Sequence, residues 1–149
     1  MSIHLLIESM QKLLKLHKSL LELSLKKTGI LEKEDIQALT QLLKEEQAHI
    51  LAIEKIEAER MRAASDRNLS DLLEEMPEPH KGMLEGISKD LWDVILKIQE
   101  QNDLNTSLIS QSLKFISFSM SIVEPPQDDY NYGPNETGGQ GKSLFSSKA

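Results

Sequence analysis

The stretch that decides the fold is Leu104–Val123, which reads LNTSLISQSLKFISFSMSIV and carries Lys114 as its only charged residue. At helical spacing this segment has two apolar stripes rather than one. The first stripe comprises Ile109, Leu113, Ile116, Met120 and Val123, and the second comprises Leu108, Phe115, Phe118 and Ile122. A helix that is apolar on two sides needs neighbours on both sides. We therefore expect a helix whose second partner comes from another molecule.

The same periodicity predicts three long helices, at about residues 3–31, 34–64 and 79–123. A short helix is expected over 69–76, where Pro77 and Pro79 stop it. The first turn is placed near Glu32–Glu34, with Asp35 in the first turn of the next helix. The predicted fold class is all-α. We expect an antiparallel bundle or coiled coil of three long helices with a short extra helix (residues 1–123), followed by a disordered tail (residues 124–149).

Composition excludes several classes of protein. The chain has no cysteine, so it has no disulfide framework and no thiolate metal site. Its net charge is −7, and the excess of acidic residues lies in the second half, which argues against nucleic acid or an anionic membrane as a partner. The Leu104–Val123 segment is too polar to span a bilayer, and no signal-peptide pattern opens the chain. We expect a cytoplasmic protein that does not insert into membranes.

One motif raises the question of a metal-dependent enzyme. Glu46 and His49 form a Glu-x-x-His motif on a predicted helix, and di-iron bundles use two such motifs with further glutamates. This chain has a single one, in a helix rich in glutamate, so we interpret it as a solvated histidine beside charged residues. The Gly141-Lys142-Ser143 sequence lacks the upstream glycine spacing of a phosphate loop. We predict no enzyme activity, no catalytic residue, no metal and no cofactor.

Two features leave alternatives open. Asn102 and Asn105 either set the register of packed helices or face water. The two apolar stripes near the end of the third helix have several possible partners. They are a foreign protein, the 69–76 helix of the same chain, or the same segment of a second copy.

Several segments, taken in order, carry a resemblance to a known family. They are the leucine-rich first helix, Asp35–Lys44, Ile53–Arg60, an Asn-x-x-Asn-x-x-Leu-Ile pattern over Asn102–Ile109, and Tyr132-Gly133 in the tail. Over nearly its whole length the chain resembles the FlgN family of flagellar export chaperones. Glu34 stands where that family often has a glycine before the aspartate.

The resemblance implies a cytoplasmic chaperone for the hook-associated (hook–filament junction) proteins. Such a chaperone binds the C-terminal helical segment of its client, keeps it unassembled and delivers it to the export gate of the flagellar type III apparatus. The alternatives are a self-associating homodimer and a generic helical adaptor.

On this interpretation, the client-binding residues lie in and just before the two-striped segment. They are Asn105, Leu108, Ile109, Ser112, Leu113, Ile116, Met120 and Val123, flanked by Phe115 and Phe118. Tyr130 and Tyr132 are candidates for docking to the export apparatus.

Overall fold

The computed structural model describes residues 2–123, apart from the side chains of residues 119, 122 and 123. Over this range the secondary structure is helical with no strand, which confirms the all-α prediction. The helices are α1 (Ile3–Lys33), α2 (Ile36–Ala63), α3 (Leu69–Glu75), α4 (His80–Ser110) and α5 (Leu113–Val123). The tail predicted for residues 124–149 lies outside the described residues. None of the described helices combines the length and apolarity needed to cross a bilayer.

Polar side chains set the helix ends. The Ser2 hydroxyl accepts a hydrogen bond from the Leu5 N–H (3.3 Å), and the Asp35 carboxylate accepts one from the Ala38 N–H (3.0 Å). Between α1 and α2, Glu34 adopts a left-handed conformation with φ of 54°. The turn therefore lies where the sequence predicts it, and Gly29 remains inside α1.

The first helix packs against both of the other long helices. A hydrogen bond from the Ser2 N–H to the Ala63 carbonyl (3.2 Å) joins the start of α1 to the end of α2, so these two helices are antiparallel. Ser24 and Thr28 of α1 bond to Asn102 and Asn105 of α4, respectively, so α1 and α4 run parallel. The backbones of α2 and α4 hardly approach each other. A cleft lies between α2 and α4, and both helices pack mainly on α1.

Three apolar clusters follow one another along α1. The first, where α1 begins, includes α3 and consists of Leu6, Ile7, Met10, Leu13, Ala63, Ala64, Leu72, Met76 and Leu84. The middle cluster consists of Leu20, Val94 and Ile98. The third, at the α1–α2 turn, consists of Leu31, Leu39 and Phe115. Leu72 and Phe115 are each 1% exposed, so the short helices α3 and α5 complete the core at opposite ends.

The prediction of one continuous helix over residues 79–123 is wrong. The helix ends at Ser110 and a new one begins at Leu113. Ser112 caps α5 by accepting a hydrogen bond from the Phe115 N–H (3.4 Å), and Lys114 Nζ donates to the Glu34 carbonyl (3.0 Å). The break lets Phe115 reach the α1–α2 turn, and burial of a large aromatic side chain offsets the loss of helical hydrogen bonds.

A buried ion pair joins α1 to α2. Lys27 Nζ lies 3.0 Å from Glu46 Oε1, and their side chains are only 11% and 7% exposed. Buried charges are tolerated in proteins when they are paired in this way. Glu46 is therefore buried and paired, and it holds α2 against α1.

A polar network joins α1 to α4. The Thr28 hydroxyl donates to Asn105 Oδ1 (2.6 Å), and Asn105 Nδ2 donates to the Ser24 carbonyl (3.0 Å). Gln101 Nε2 donates to the Thr28 hydroxyl, and the Ser24 hydroxyl donates to Asn102 Oδ1 (3.3 Å). Because these bonds form at one alignment of the helices, they set the register of α4 on α1.

Replacing Glu34 by glycine should stabilise the protein, since glycine adopts positive φ without steric strain. We expect Glu34→Gly to raise the free energy of unfolding by about 1 kcal/mol in urea denaturation followed by far-UV circular dichroism. Lys33→Gly, at the neighbouring helical position, should lower it by about 1 kcal/mol. Loss of stability in Glu34→Gly would contradict the left-handed assignment.

Truncating Asn105 should destabilise the protein, because it leaves buried polar groups of Ser24 and Thr28 with fewer partners. We expect Asn105→Ala to lower the free energy of unfolding by about 2 kcal/mol. The exposed neighbour Thr106 provides the control, and Thr106→Ala should change stability by less than about 0.5 kcal/mol. Equal effects of the two substitutions in urea denaturation would show that the network does not stabilise the fold.

Candidate functional site

The predicted client-binding residues divide between two faces of α5. On the outer face, Leu113 is 83% exposed and Met120 is 55% exposed, with the half-buried Ile116 between them. These three residues are spaced by three and four, so they form one stripe on the helix. We call this the outer stripe. It is an apolar surface that the described part of the chain leaves uncovered.

The opposite face of α5 packs on the molecule itself. Phe115 is buried against Leu31 and Leu39, and the half-buried Phe118 joins the same cluster. Within α5, one apolar face is thus covered by the fold and the other is open, whereas Ile109 of the predicted first stripe packs against the covered cluster. The short helix α3 does not cover the outer stripe, because it belongs to the cluster at the other end of the molecule.

The remaining predicted residues lie before α5 or outside the described part. Leu108 and Ile109 are half-buried beside the third cluster, and Ser112 caps α5. Asn105 is 2% exposed and Phe115 is 1% exposed, so in this conformation neither is open to a partner. The side chain of Val123 and both Tyr130 and Tyr132 lie outside the described structure.

A second apolar surface lines the cleft between α2 and α4. The cleft has a volume of about 630 Å³ and lies next to α3. Its apolar lining includes Met10, Leu13, Met61, Leu91, Trp92 and Ile95. We call it the Trp92 cleft, because Trp92 is the single tryptophan of the chain and is 61% exposed. Our sequence analysis missed this site. The available signal was that Trp92 and Ile95 are apolar but lie outside the row of apolar residues spaced by three and four in this helix, which is Leu84, Ile87, Leu91, Val94 and Ile98.

Two arginine–glutamate pairs lie at or near the rim of this cleft. Arg60 Nε donates to Glu57 Oε2 (2.9 Å), and this hydrogen bond raises the pKa of Arg60 although burial opposes it. Arg67 Nη1 donates to Glu75 Oε2 (2.9 Å), which lowers the pKa of the Glu75 carboxyl and raises that of Arg67. Because each cation has its own anion, these four residues carry no net charge.

The Glu-x-x-His motif does not form a ligand set. Glu46 binds Lys27, and His49 Nδ1 lies 2.8 Å from the Glu45 carbonyl one turn earlier. Over residues 2–123, no group of three or more histidine, cysteine, aspartate or glutamate side chains is placed to hold a metal ion.

One of three comparisons with known proteins identifies a family. A family model described as FlgN protein matches residues 1–138. The chain is 30% identical over 160 residues to "Uncharacterized protein YvyG" of Bacillus subtilis (strain 168), an alignment that covers all of both chains. No solved structure matches the chain. Because the family model covers most of the sequence, the chain belongs to the FlgN family, a family of flagellar export chaperones.

Proposed function

We propose that this protein is a cytoplasmic export chaperone for the hook-associated proteins of the hook–filament junction. It binds the C-terminal helical segment of such a client, keeps the client unassembled and delivers it to the flagellar type III export apparatus. It acts by binding alone, without catalysis or a cofactor. Membership of the FlgN family and the uncovered outer stripe of α5 support this proposal.

The outer stripe is the observation that carries the proposal. Leu113, Ile116 and Met120 occupy positions i, i+3 and i+7, the spacing by which one helix packs on another. Covering this surface with an apolar client helix would release roughly 25 cal/mol for each Å² of apolar area buried. Methionine is unbranched and adapts its shape, so Met120 suits a surface that accommodates different client helices.

The other candidate residues take different roles in this proposal. Leu108, Ile109 and Phe118 are half-buried beside the third cluster, so only their exposed parts are candidates for client contact, and Val123 stays a candidate from its sequence position alone. Asn105 and Phe115 act from the interior, where they hold α4 and α5 in place. Tyr130 and Tyr132 remain candidates for contact with the export apparatus.

Adding charge to the outer stripe should weaken client binding without unfolding the protein. We expect Leu113→Glu with Met120→Glu to weaken binding of a purified hook-associated protein at least tenfold in isothermal titration calorimetry. Leu25→Glu provides a matched control, because Leu25 is 52% exposed on α1 and belongs to no apolar cluster. Helical content should be unchanged in all variants.

The same variants distinguish the alternative function. If the outer stripe pairs with itself, light scattering will show a dimer of the wild-type protein that the double substitution separates into monomers. A monomeric wild-type protein that binds the client supports the chaperone. Undiminished client binding by the double variant would show that the outer stripe is not the binding site.

A further inference from the structure

The three long helices differ in the sign of their charge. The chain as a whole has a net charge of −7. Its first helix, α1, nevertheless carries six lysines and only three glutamates. The other two carry an acidic excess, with four basic and five acidic residues in α2 and three basic and five acidic residues in α4. Among the long helices of residues 2–123, only α1 is therefore basic.

Most of this positive charge lies on one face of α1. Successive residues of an α-helix are about 100° apart around its axis, so four exposed lysines fall within an arc of about 80°. This arc points away from Leu20 and Leu31, which belong to the apolar clusters. We call it the basic face, and its lysines are Lys15, Lys18, Lys26 and Lys33.

The described chain leaves the basic face without partners of opposite charge. The ion pairs that α1 makes within residues 2–123 are those of Lys12 with Glu8 and of Lys27 with Glu46, and none of the four lysines of the basic face takes part. One carboxylate, that of Glu22, lies on the same arc. It can balance one of the four lysines, so the face keeps an excess of positive charge.

The opposite charge is concentrated just after α5. Residues 124–141 contain four carboxylates and neither lysine nor arginine; the acidic residues are Glu124, Asp128, Asp129 and Glu136. This segment starts near the basic face, because Lys114 of α5 donates to the carbonyl of Glu34, the residue that follows Lys33. From Lys114 to the end of α5 at Val123 the helical rise is about 14 Å.

We propose that residues 124–136 bind the basic face of α1 within the same chain, through pairs of their carboxylates with its lysines. From Lys33 to Lys15 the basic face is about 27 Å long, and a 13-residue segment can extend over about 40 Å. The acidic excess of α2 and α4 repels this segment, which leaves α1 as the long helix that attracts it. The inference goes beyond the proposed function and does not depend on the client.

The tether compensates for the weakness of each pair. A single exposed ion pair contributes little, because water and salt screen it. Since residues 124–136 are joined to the fold through α5, they meet the basic face at high effective concentration. Tyr130 and Tyr132 belong to this segment, so its binding would bring both tyrosines to α1. A protein that binds these tyrosines would have to compete with α1 for them.

A spin label tests the contact directly, because the chain has no cysteine and a single introduced cysteine is labelled uniquely. Gly29 lies on the basic face, and a side chain added there meets no other atom within 4 Å. A nitroxide on Gly29→Cys of the full-length protein should broaden the amide NMR resonances of residues 124–136.

The matched control is a nitroxide on Gln41→Cys. Gly29 lies two residues before Leu31, and the exposed Gln41 lies two residues after Leu39. Leu31 and Leu39 share the cluster that contains Phe115, so the two labels are placed similarly with respect to α5. The label on Gln41→Cys should broaden the same resonances much less.

Electrostatic binding also predicts a dependence on charge and salt. Lys18→Glu with Lys26→Glu reverses two charges of the basic face and should remove the broadening. Lys44→Glu with Lys55→Glu makes the same change in net charge at exposed positions of α2 and should leave it unchanged. Raising the salt from about 20 mM to about 0.5 M shortens the Debye length from roughly 20 Å to roughly 4 Å and should also remove the broadening.

Several results would overturn the proposal. They are no broadening from the Gly29→Cys label, equal broadening from both labels, and broadening that persists at the higher salt. A mixture of spin-labelled protein with isotopically labelled protein that lacks the nitroxide should show no broadening, and broadening there would mean that the segment binds a second copy. The labels and the salt series decide the question even if the double lysine variant fails to fold.

Discussion

The architecture depends on α1 serving as the shared partner of α2 and α4. Its buried residues lie in all three apolar clusters, whereas the backbones of α2 and α4 hardly approach each other. The contacts of α1 with α2 and with α4 therefore also determine how α2 and α4 lie relative to each other. Buried apolar side chains supply most of the attraction, because hydrophobic burial is the dominant favourable term in folding. They are poor at fixing one alignment, since aliphatic side chains along a helix are nearly interchangeable.

Alignment comes from two buried polar contacts, one on each side of α1. The Lys27–Glu46 pair sets the alignment of α2 on α1, and the network around Thr28 and Asn105 sets the alignment of α4 on α1. A shift of either helix by one turn, about 5.4 Å, would separate these groups and leave them buried without partners. Such contacts add little net stability, because desolvation offsets most of their attraction. Their effect is to make misaligned packings unfavourable.

Much of the fold could be predicted from periodicity, because long amphipathic helices carry strong local signals. The turn at Glu34-Asp35, the short helix before Pro77 and the two stripes of the final segment are all visible in the order of residues. The break at Gln111-Ser112 could not be predicted in this way. Neither residue is a helix breaker, and serine suits both a helix interior and a cap. The break arises from a distant gain, the burial of Phe115 beside Leu31 and Leu39.

The candidate site was predictable to a similar extent, and for the same reason. The outer stripe follows from local spacing, so Leu113, Ile116 and Met120 could be identified from the sequence. The inward position of Asn105 and the Trp92 cleft depend on how three helices are placed around each other. From the sequence alone, a residue such as Trp92 could belong to the core or to the surface, and only the placement of the three helices decides between them. Contacts between residues far apart in sequence are invisible to local patterns.

The polar network between α1 and α4 also affects the outer stripe, because it determines where α5 lies. Asn105 lies within the last two turns of α4, so its bonds to α1 determine where α4 ends relative to the α1–α2 turn. That position allows Phe115 to enter its buried site and Lys114 to reach the Glu34 carbonyl. Once Phe115 is inserted, the helical repeat places Leu113 and Met120 on the side away from the third cluster. Polar groups buried between α1 and α4 therefore orient an apolar surface two turns farther along the chain. A buried residue such as Asn105, which a partner cannot contact, can in this way determine which apolar surface the partner contacts.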